Sequence, residues 1–419
     1  MNVRLATPVA LAAILLAAPS YAQCGYQSGT PQCFSFAPPI PEAGNIGEDL
    51  SLLSEKLKIT GDIRFRSRNA WAPTGTPYAT GDQISSRARL NFDFQVNANV
   101  RAFTQFNFSE VWPGSDPYSD ADPNNTAAEF NGIAQAYLET KDLLGLGEGV
   151  RIGRSYYALA SGLIYGSCDF LQYPAAGTGV WLSKEFGAHE VEVFGFDNNG
   201  TFTKNGLGNP AADGQRFVGA TARIDLGNEL ASSLEPYVLL GTGDGDNVAA
   251  GNPDFSNDAW FGLASMGKFE RYSWNAEVAQ REVDATDDSF LAYRVNAYAD
   301  LADLTGSVVD RVRVTRTDAE GRMHINPGDF NSAGLLHQYG GAWRSDLSTN
   351  QLALTFKPLD TLSVDVAYVN LDSLVTTGGE NELDIMISKK LLDGAFGWIG
   401  YGIDDDERQV LYAQLTVFF

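Results

Sequence analysis

Cysteine and histidine are scarce, three of each in 419 residues. The histidines, His189, His324 and His337, are dispersed and leave little material for a histidine-based metal cage or a catalytic triad. Basic residues are also few: 29 Lys and Arg stand against 52 Asp and Glu, a net charge of −23. That balance argues against a nucleic-acid partner, whose phosphates require Lys and Arg in excess. Charged residues make up only 19% of the chain while the apolar fraction is 44%, which fits neither a disordered nor a collagenous polypeptide. Past the N-terminus, no run approaches the ~18 apolar residues of a membrane-spanning helix. If this chain meets a membrane, it does so with strands.

What is present begins with an export signal. Arg4 supplies a positive start, Val9 to Ala18 an apolar core, and Ser20-Tyr21-Ala22 a small-x-small cleavage site, so residues 1–22 are expected to be removed. In an oxidising compartment Cys24 and Cys33 are expected to form a local disulfide, leaving Cys168 as a lone thiol. Residues 23–57 contain Pro38-Pro39-Ile40-Pro41 and a short helical pattern over 48–58, and form a periplasmic N-terminal segment that is either a linker or a plug.

From residue 58 to 419 the hydrophobic period is two. In Arg87-Ala88-Arg89-Leu90-Asn91-Phe92-Asp93-Phe94-Gln95-Val96-Asn97 the even positions are all apolar and the odd ones all polar. The same alternation places Ile63 and Phe65 opposite Arg64, Arg66 and Arg68, and Leu383, Ile385 and Ile387 opposite Glu382, Asp384 and Ser388. About eighteen such segments are expected, near 58–68, 84–97, 100–110, 132–140, 149–155, 178–186, 189–197, 214–226, 232–241, 258–270, 272–284, 289–301, 308–315, 350–357, 361–370, 381–390, 394–402 and 409–419. Links between them alternate strictly short and long. Strand length, an even strand number and alternating links together describe an antiparallel up-and-down transmembrane β-barrel, with short periplasmic turns and long extracellular loops. Such a sheet must close, because lipid cannot satisfy a free strand edge, and with 16–18 strands its polar face lines a wet lumen. Trp71, Tyr78, Trp112, Tyr118, Tyr137, Trp181, Trp260, Tyr272, Trp398 and Tyr401 lie near strand ends, where interfacial girdles are expected.

With apolar side chains outward, the lumen receives Arg64, Arg66, Arg68, Arg87, Arg89, Arg101, Arg151, Arg223, Arg281, Arg294, Arg311 and Arg313, together with Asp62, Asp93, Glu139, Glu277, Asp365, Glu382 and Asp384. Guanidinium forks suit carboxylates and phosphates, and rings of Arg lower the barrier to anions in a pore. The same arginines can instead pair with the wall carboxylates; the row Arg64, Arg66, Arg68 with Arg87 and Arg89 is the best candidate for excess positive charge. Acidic clusters such as Asp116, Asp120 and Asp122, Asp244 and Asp246, Asp284, Asp287 and Asp288, and Asp404 to Glu407 fall in the links. They offer oxygen ligands to Ca²⁺ or to ions bridging lipopolysaccharide, but none has the twelve-residue EF-hand spacing. No cofactor is expected.

At 133–186 the sequence resembles a known family. Ala134-Gln135-Ala136-Tyr137-Leu138, Val150-Arg151-Ile152-Gly153-Arg154, Gly162-Leu163-Ile164-Tyr165-Gly166 with Asp169-Phe170, and Gly179-Val180-Trp181-Leu182-Ser183 follow in order the pattern of the alginate-export outer-membrane barrels. Asn381-Glu382-Leu383-Asp384-Ile385 through Tyr412-Ala413-Gln414-Leu415 is similar to that family's closing hairpins, and a last strand ending in Phe419 resembles the signal read by the barrel-assembly machinery. Ser155 stands where the family usually has Gln, and Phe170 where Trp is common. The resemblance implies an outer-membrane porin passing anionic or saccharide solutes through an Arg-lined lumen in a Gram-negative envelope; many members are general porins, so alginate itself does not carry over. Two other readings stay open: a barrel hydrolase, for which His337 would be the residue to test, and a non-conducting structural or receptor barrel.

Overall fold

The computed structural model describes residues 56–73, 81–111, 130–166, 176–199, 215–242, 255–306, 308–321, 323, 325, 334–337, 347–373 and 381–419. The expected signal peptide, nearly all of 23–57, the three cysteines, His324, Asp169-Phe170, Tyr78, Trp112, Tyr118 and the acidic groups at 116–122 and 244–246 lie outside these residues.

Because successive side chains of a strand point to opposite faces, a sheet that rolls up can hold an apolar face outward and place nearly all of its charged side chains within. That is what the chain does. The strands are β1 (Leu57–Trp71), β2 (Gly81–Asn97), β3 (Val100–Val111), β4 (Phe130–Lys141), β5 (Glu148–Ser155), β6 (Ala176–Phe186), β7 (His189–Asn199), β8 (Arg216–Asp225), β9 (Ser233–Gly241), β10 (Ala259–Phe269), β11 (Tyr272–Val283), β12 (Asp288–Asp300), β13 (Arg311–Ala319), β14 (Leu347–Leu359), β15 (Leu362–Ser373), β16 (Asn381–Leu392), β17 (Ala395–Asp404) and β18 (Gln409–Phe418). Each pairs antiparallel with its sequence neighbours, and β18 returns to β1, closing an 18-stranded barrel with no free edge. Among the described residues two one-turn helices, α1 (Ala302–Thr305) and α2 (Gly334–His337), interrupt the links.

Every expected strand is present, with differences at the ends. Residues 57–58 open β1 rather than close a helix. The expected 308–315 strand lies at Arg311–Ala319, because Val308 and Val309 prolong the apolar pattern ahead of the strand while belonging to the link after α1. The strict alternation of link lengths fails twice: at the loop end, 284–287 and 405–408 are tight connections. The outer face is a band of exposed Ile, Leu, Val and Phe, from Ile63 and Phe65 on β1 to Leu415 and Val417 on β18. Trp71 and Tyr272 belong to it, but Tyr137, Trp181, Trp260 and Trp398 are buried inside the barrel, which corrects their placement in an outer girdle.

At the end of the closing seam one position requires glycine. Gly61 donates to the Phe419 carbonyl at 2.7 Å and accepts from the Phe419 N–H at 3.0 Å, while a Cβ on Gly61 would lie 2.3 Å from the Arg89 carbonyl oxygen and 2.7 Å from the Phe419 ring. The ring thus covers a glycine on the neighbouring strand, as aromatics do at sheet glycines. Gly61→Val is expected to cost about 1–3 kcal/mol through overpacking at the seam, seen as a smaller heat-modifiable folded fraction on gels run without boiling.

Candidate functional site in the barrel lumen

The arginine rows occupy the inner wall of β1 and β2. Arg64, Arg66, Arg68, Arg87 and Arg89 are all buried, with Asp62 among them. Register sets Arg64 opposite Arg87 and Asp62 opposite Arg89. The Asp62 carboxylate accepts from Arg89 Nε at 2.5 Å and from Arg87 Nη2 at 3.2 Å, so the two β2 guanidiniums share one anion. Arg66 Nε donates to the neutral Gln414 amide oxygen at 2.8 Å. Replacing Asp62 by Asn leaves Arg87 and Arg89 without their shared carboxylate, a change expected to cost about 3–5 kcal/mol; a lower unfolding temperature together with a reversal potential moved toward anion preference would show it.

The other sequence-nominated arginines also face inward, with partners. Arg101 bridges Asp93 and Glu139, each at 2.7 Å, and Arg151 meets the other Glu139 oxygen at 2.7 Å. This alternating-charge ladder runs over β2–β5, where the Tyr137 ring stacks on Phe103 and lies 5.2 Å from the Arg151 guanidinium. Arg311 pairs with Asp300 at 2.9 Å, and Arg313 donates to Gln351 at 2.7 Å. Arg281 pairs with Asp258 and Arg223 with Glu190. Arg154 donates to the Ala134 carbonyl on the adjacent strand.

Among the described residues, 156–166 and α2 are the main link segments that fold into the barrel, with Phe255 from a third link and Met323 from the link that carries α2 joining the apolar core, and no sequence pattern announced where they would be held. Residues 156–166 leave β5 and cross the inner faces of β6–β10. Tyr157, Leu159, Leu163, Ile164 and Tyr165 pack there on Trp181, Phe194, Phe196, Phe217, Tyr237, Leu239 and Trp260, an apolar core inside the lumen. The far end is pinned on β11 and β12. Glu277, 2% exposed, accepts from Ser161 N at 3.1 Å, Leu163 N at 3.4 Å, Tyr237 OH at 2.6 Å and the Ser161 hydroxyl. Arg294 Nη2 donates to both Ser161 O and Ser161 Oγ at 2.7 Å. On the other side α2 lies against β16–β18: Leu335 N donates to Asp384 Oδ2 at 3.2 Å and Leu336 N to Glu382 Oε1 at 2.6 Å. Carboxylates on the wall therefore capture backbone N–H groups of both segments, which otherwise would be buried without acceptors.

Toward the turn end, beneath 156–166, lies a cavity of about 230 Å³ lined by Arg151, Arg223, Glu190, Glu192, Glu235, Tyr156, Tyr157 and neighbouring polar side chains. Tyr157 OH donates to Glu192 at 2.8 Å, and burial pushes the Tyr157 phenol well above its ordinary range, so it serves here as a fixed donor. His189 is a structural acceptor, its Nδ1 taking the Asp225 N–H at 3.1 Å. Among the described residues no group of three or more His, Cys, Asp or Glu is arranged to hold a metal ion; of the acidic links, Asp404 pairs with Arg408 and Asp405 contacts Asn381.

The inward aromatics had a legible signal. On β6–β10 both faces are apolar near the loop end: Trp181 lies between Val180 and Leu182, Phe194 follows Val193, and Trp260 precedes Phe261. A strand apolar on both sides is covered on both sides.

No protein-family model matches this chain, and no curated protein matches it. Solved structures do. The chain is similar to Pseudomonas aeruginosa OccK2 (OpdF), crystallised in complex with glucuronate, at 13% identity and a TM-score of 0.56 over 87% of this chain and 96% of that one. It is similar to OccD3 (OpdP) of the same organism at 12% identity and a TM-score of 0.55, covering 95% and 99%. It is also similar to Acinetobacter baumannii OccAB4 at 12% identity and a TM-score of 0.55, covering 87% and 97%. At this identity the likeness shows the fold, a closed 18-stranded antiparallel barrel of the kind found in the Occ and Opd outer-membrane barrels.

Proposed function

We propose that this protein is an outer-membrane channel, not an enzyme, through which small or oligomeric solutes diffuse passively, with preference for anions. The observation that carries this reading is the concentration of five guanidiniums on the inner wall of β1 and β2 around the Asp62 carboxylate, in a barrel girdled on its outside by an apolar band. A solvent-exposed apolar surface of that extent belongs in lipid. Buried cations are poorly screened and act on a passing solute over several ångströms. The export signal at 1–22 and Phe419, presented to the assembly machinery before it closes on Gly61, give the route to the membrane. Lipopolysaccharide and outer-membrane lipid are the surroundings.

The solutes that fit are carboxylate-bearing small molecules, including acidic sugars. The likeness of 133–186 to alginate-export barrels, with Arg151 facing inward, points the same way, as does the glucuronate in the OccK2 crystal. A specific observation favours one rival, a non-conducting barrel: 156–166 and α2 occupy part of the lumen. Liposome swelling decides. Proteoliposomes are expected to swell faster in glucuronate than in glucose, solutes of similar size. Equal rates would remove the anion preference, and no swelling in either would establish the non-conducting barrel.

A further inference from the structure

The cavity beneath 156–166 carries the opposite charge to the arginine rows, and nothing in anion passage uses it. Its walls come from two sides: Tyr137 and Arg151 on β4 and β5, and Glu190, Glu192, Thr221, Arg223 and Glu235 on β7–β9. Register produces the clustering. Glu190 lies opposite Arg223 and Glu192 opposite Thr221, so two carboxylates two residues apart share the inner face of β7. Thr221 Oγ1 in turn donates to Glu235 Oε1 at 3.4 Å, which places Glu192 and Glu235 on either flank of one threonine. On the other side of Glu192 the register partners are Ser183 and then Gly149, small residues that leave a hollow in the wall. Arg223 and Glu190 are partly exposed, so solvent reaches the cavity from the turn end.

The charges here do not cancel. Arg151 is held by Glu139 at 2.7 Å and closes the run Asp93, Arg101, Glu139, Arg151, two acids and two bases. Arg223 is then left alone with three carboxylates, 3.4 Å from Glu190 and 3.7 Å from Glu235. Among the described residues no cation lies within ion-pair distance of Glu192, whose partner is the neutral Tyr157 hydroxyl. Glu185, opposite Glu190, adds charge of the same sign at the mouth. A second observation is independent of charge. Ser155 lines the cavity at 1% exposure, and its hydroxyl has no hydrogen-bond partner among the described residues. A buried hydroxyl left unpaired is costly unless something enters to meet it. Each carboxylate has about four lone-pair sites, so the lining is far richer in acceptors than in donors. The volume, about 230 Å³, is several times the ~30 Å³ share of one water molecule. A complementary occupant is therefore ring-sized, positively charged and rich in donors. An amino acid fits worse, because its own carboxylate would face Glu190, Glu192 and Glu235.

We propose that this cavity is a binding site for an amino sugar, its ammonium group received between Glu192 and Glu235 and its hydroxyls by Ser155 and the remaining carboxylate oxygens. Titration calorimetry of the detergent-purified full chain tests it, with glucosamine as probe at a pH where its amine is protonated. Glucose, which lacks the ammonium, and ethylamine, which lacks the hydroxyls, are the comparisons. Glucosamine is expected to bind about tenfold more tightly than either, and glucuronate is expected not to displace it. Glu192→Gln keeps an acceptor for Tyr157 and is expected to weaken glucosamine about fivefold, and Glu192→Gln combined with Glu235→Gln about twentyfold, with glucose unchanged in both. Heat-modifiable gel mobility verifies that each variant folds. Glucosamine bound no better than glucose, or equally well by wild type and both variants, overturns the site. Ethylamine bound as tightly as glucosamine overturns the sugar assignment. Binding in detergent needs no conduction, so failure here leaves the channel reading standing, and that reading falls only in the swelling assay.

Discussion

Replacing Glu277 by alanine loosens the tip of the inward segment, raises single-channel conductance modestly and adds current noise. The carboxylate holds two backbone N–H groups, the Ser161 hydroxyl and Tyr237 OH, beside Arg294. Removing a buried acceptor shared by four donors leaves them unsatisfied, at a cost of about 1–3 kcal/mol each. Against that stands the apolar core: Leu159, Leu163, Ile164 and Tyr165 are all essentially inaccessible, and each such side chain contributes about 1.5–3 kcal/mol by burial. Four of them keep the segment docked while residues near Ser161 move. Glu277→Gln keeps an acceptor for Tyr237 but turns a donor toward Ser161, and should show a smaller effect in the same direction. Glu277→Ala also removes a negative charge beside Arg294, so anion preference should rise with conductance. Planar-bilayer recordings read both quantities; unchanged conductance and noise would mean that the apolar contacts alone fix the segment.

The fold was legible because lipid and lumen impose opposite demands on alternate residues, and a period of two survives in sequence however the strands tilt. Arg87, Arg89, Asn91 and Asp93 declare their face without any knowledge of their neighbours. Links carry no such constraint. Ser161 and Glu277 are 116 residues apart and meet only because the segment after β5 crosses the inner wall as far as β11. The same holds for Leu336 and Glu382. Trp181 and Trp260 were misplaced for a related reason: an aromatic near a strand end fits an interfacial belt or a covered lumen equally, and only the apolar neighbours on both sides separate the two. The charge pairing within the lumen was half legible, since carboxylates and arginines on adjacent strands could be enumerated, but which of them meet depends on registers such as Arg101 opposite Glu139.

The arginine row gives the test that bears most directly on selectivity. Arg64, Arg66 and Arg68 replaced together by Ser are expected to lower the anion-over-cation permeability ratio about tenfold. At about 8 Å from a permeating ion each charge contributes roughly 0.5 kcal/mol at the dielectric constant of water. Three give on the order of 1.5 kcal/mol, opposite in sign for anion and cation. Salt screening over about one Debye length reduces the roughly 3 kcal/mol difference to a factor of about ten. At 2–7% exposure less solvent lies between these guanidiniums and the path than around a surface charge. Arg101→Ser should change selectivity far less, since Arg101 is already balanced by Asp93 and Glu139. Its loss frees two carboxylates and should lower stability instead. Reversal potentials in a salt gradient separate the outcomes: a shift in the triple variant that exceeds the shift for Arg101→Ser assigns selectivity to the β1 row, while equal shifts would mean that net lumen charge, wherever it sits, sets the preference.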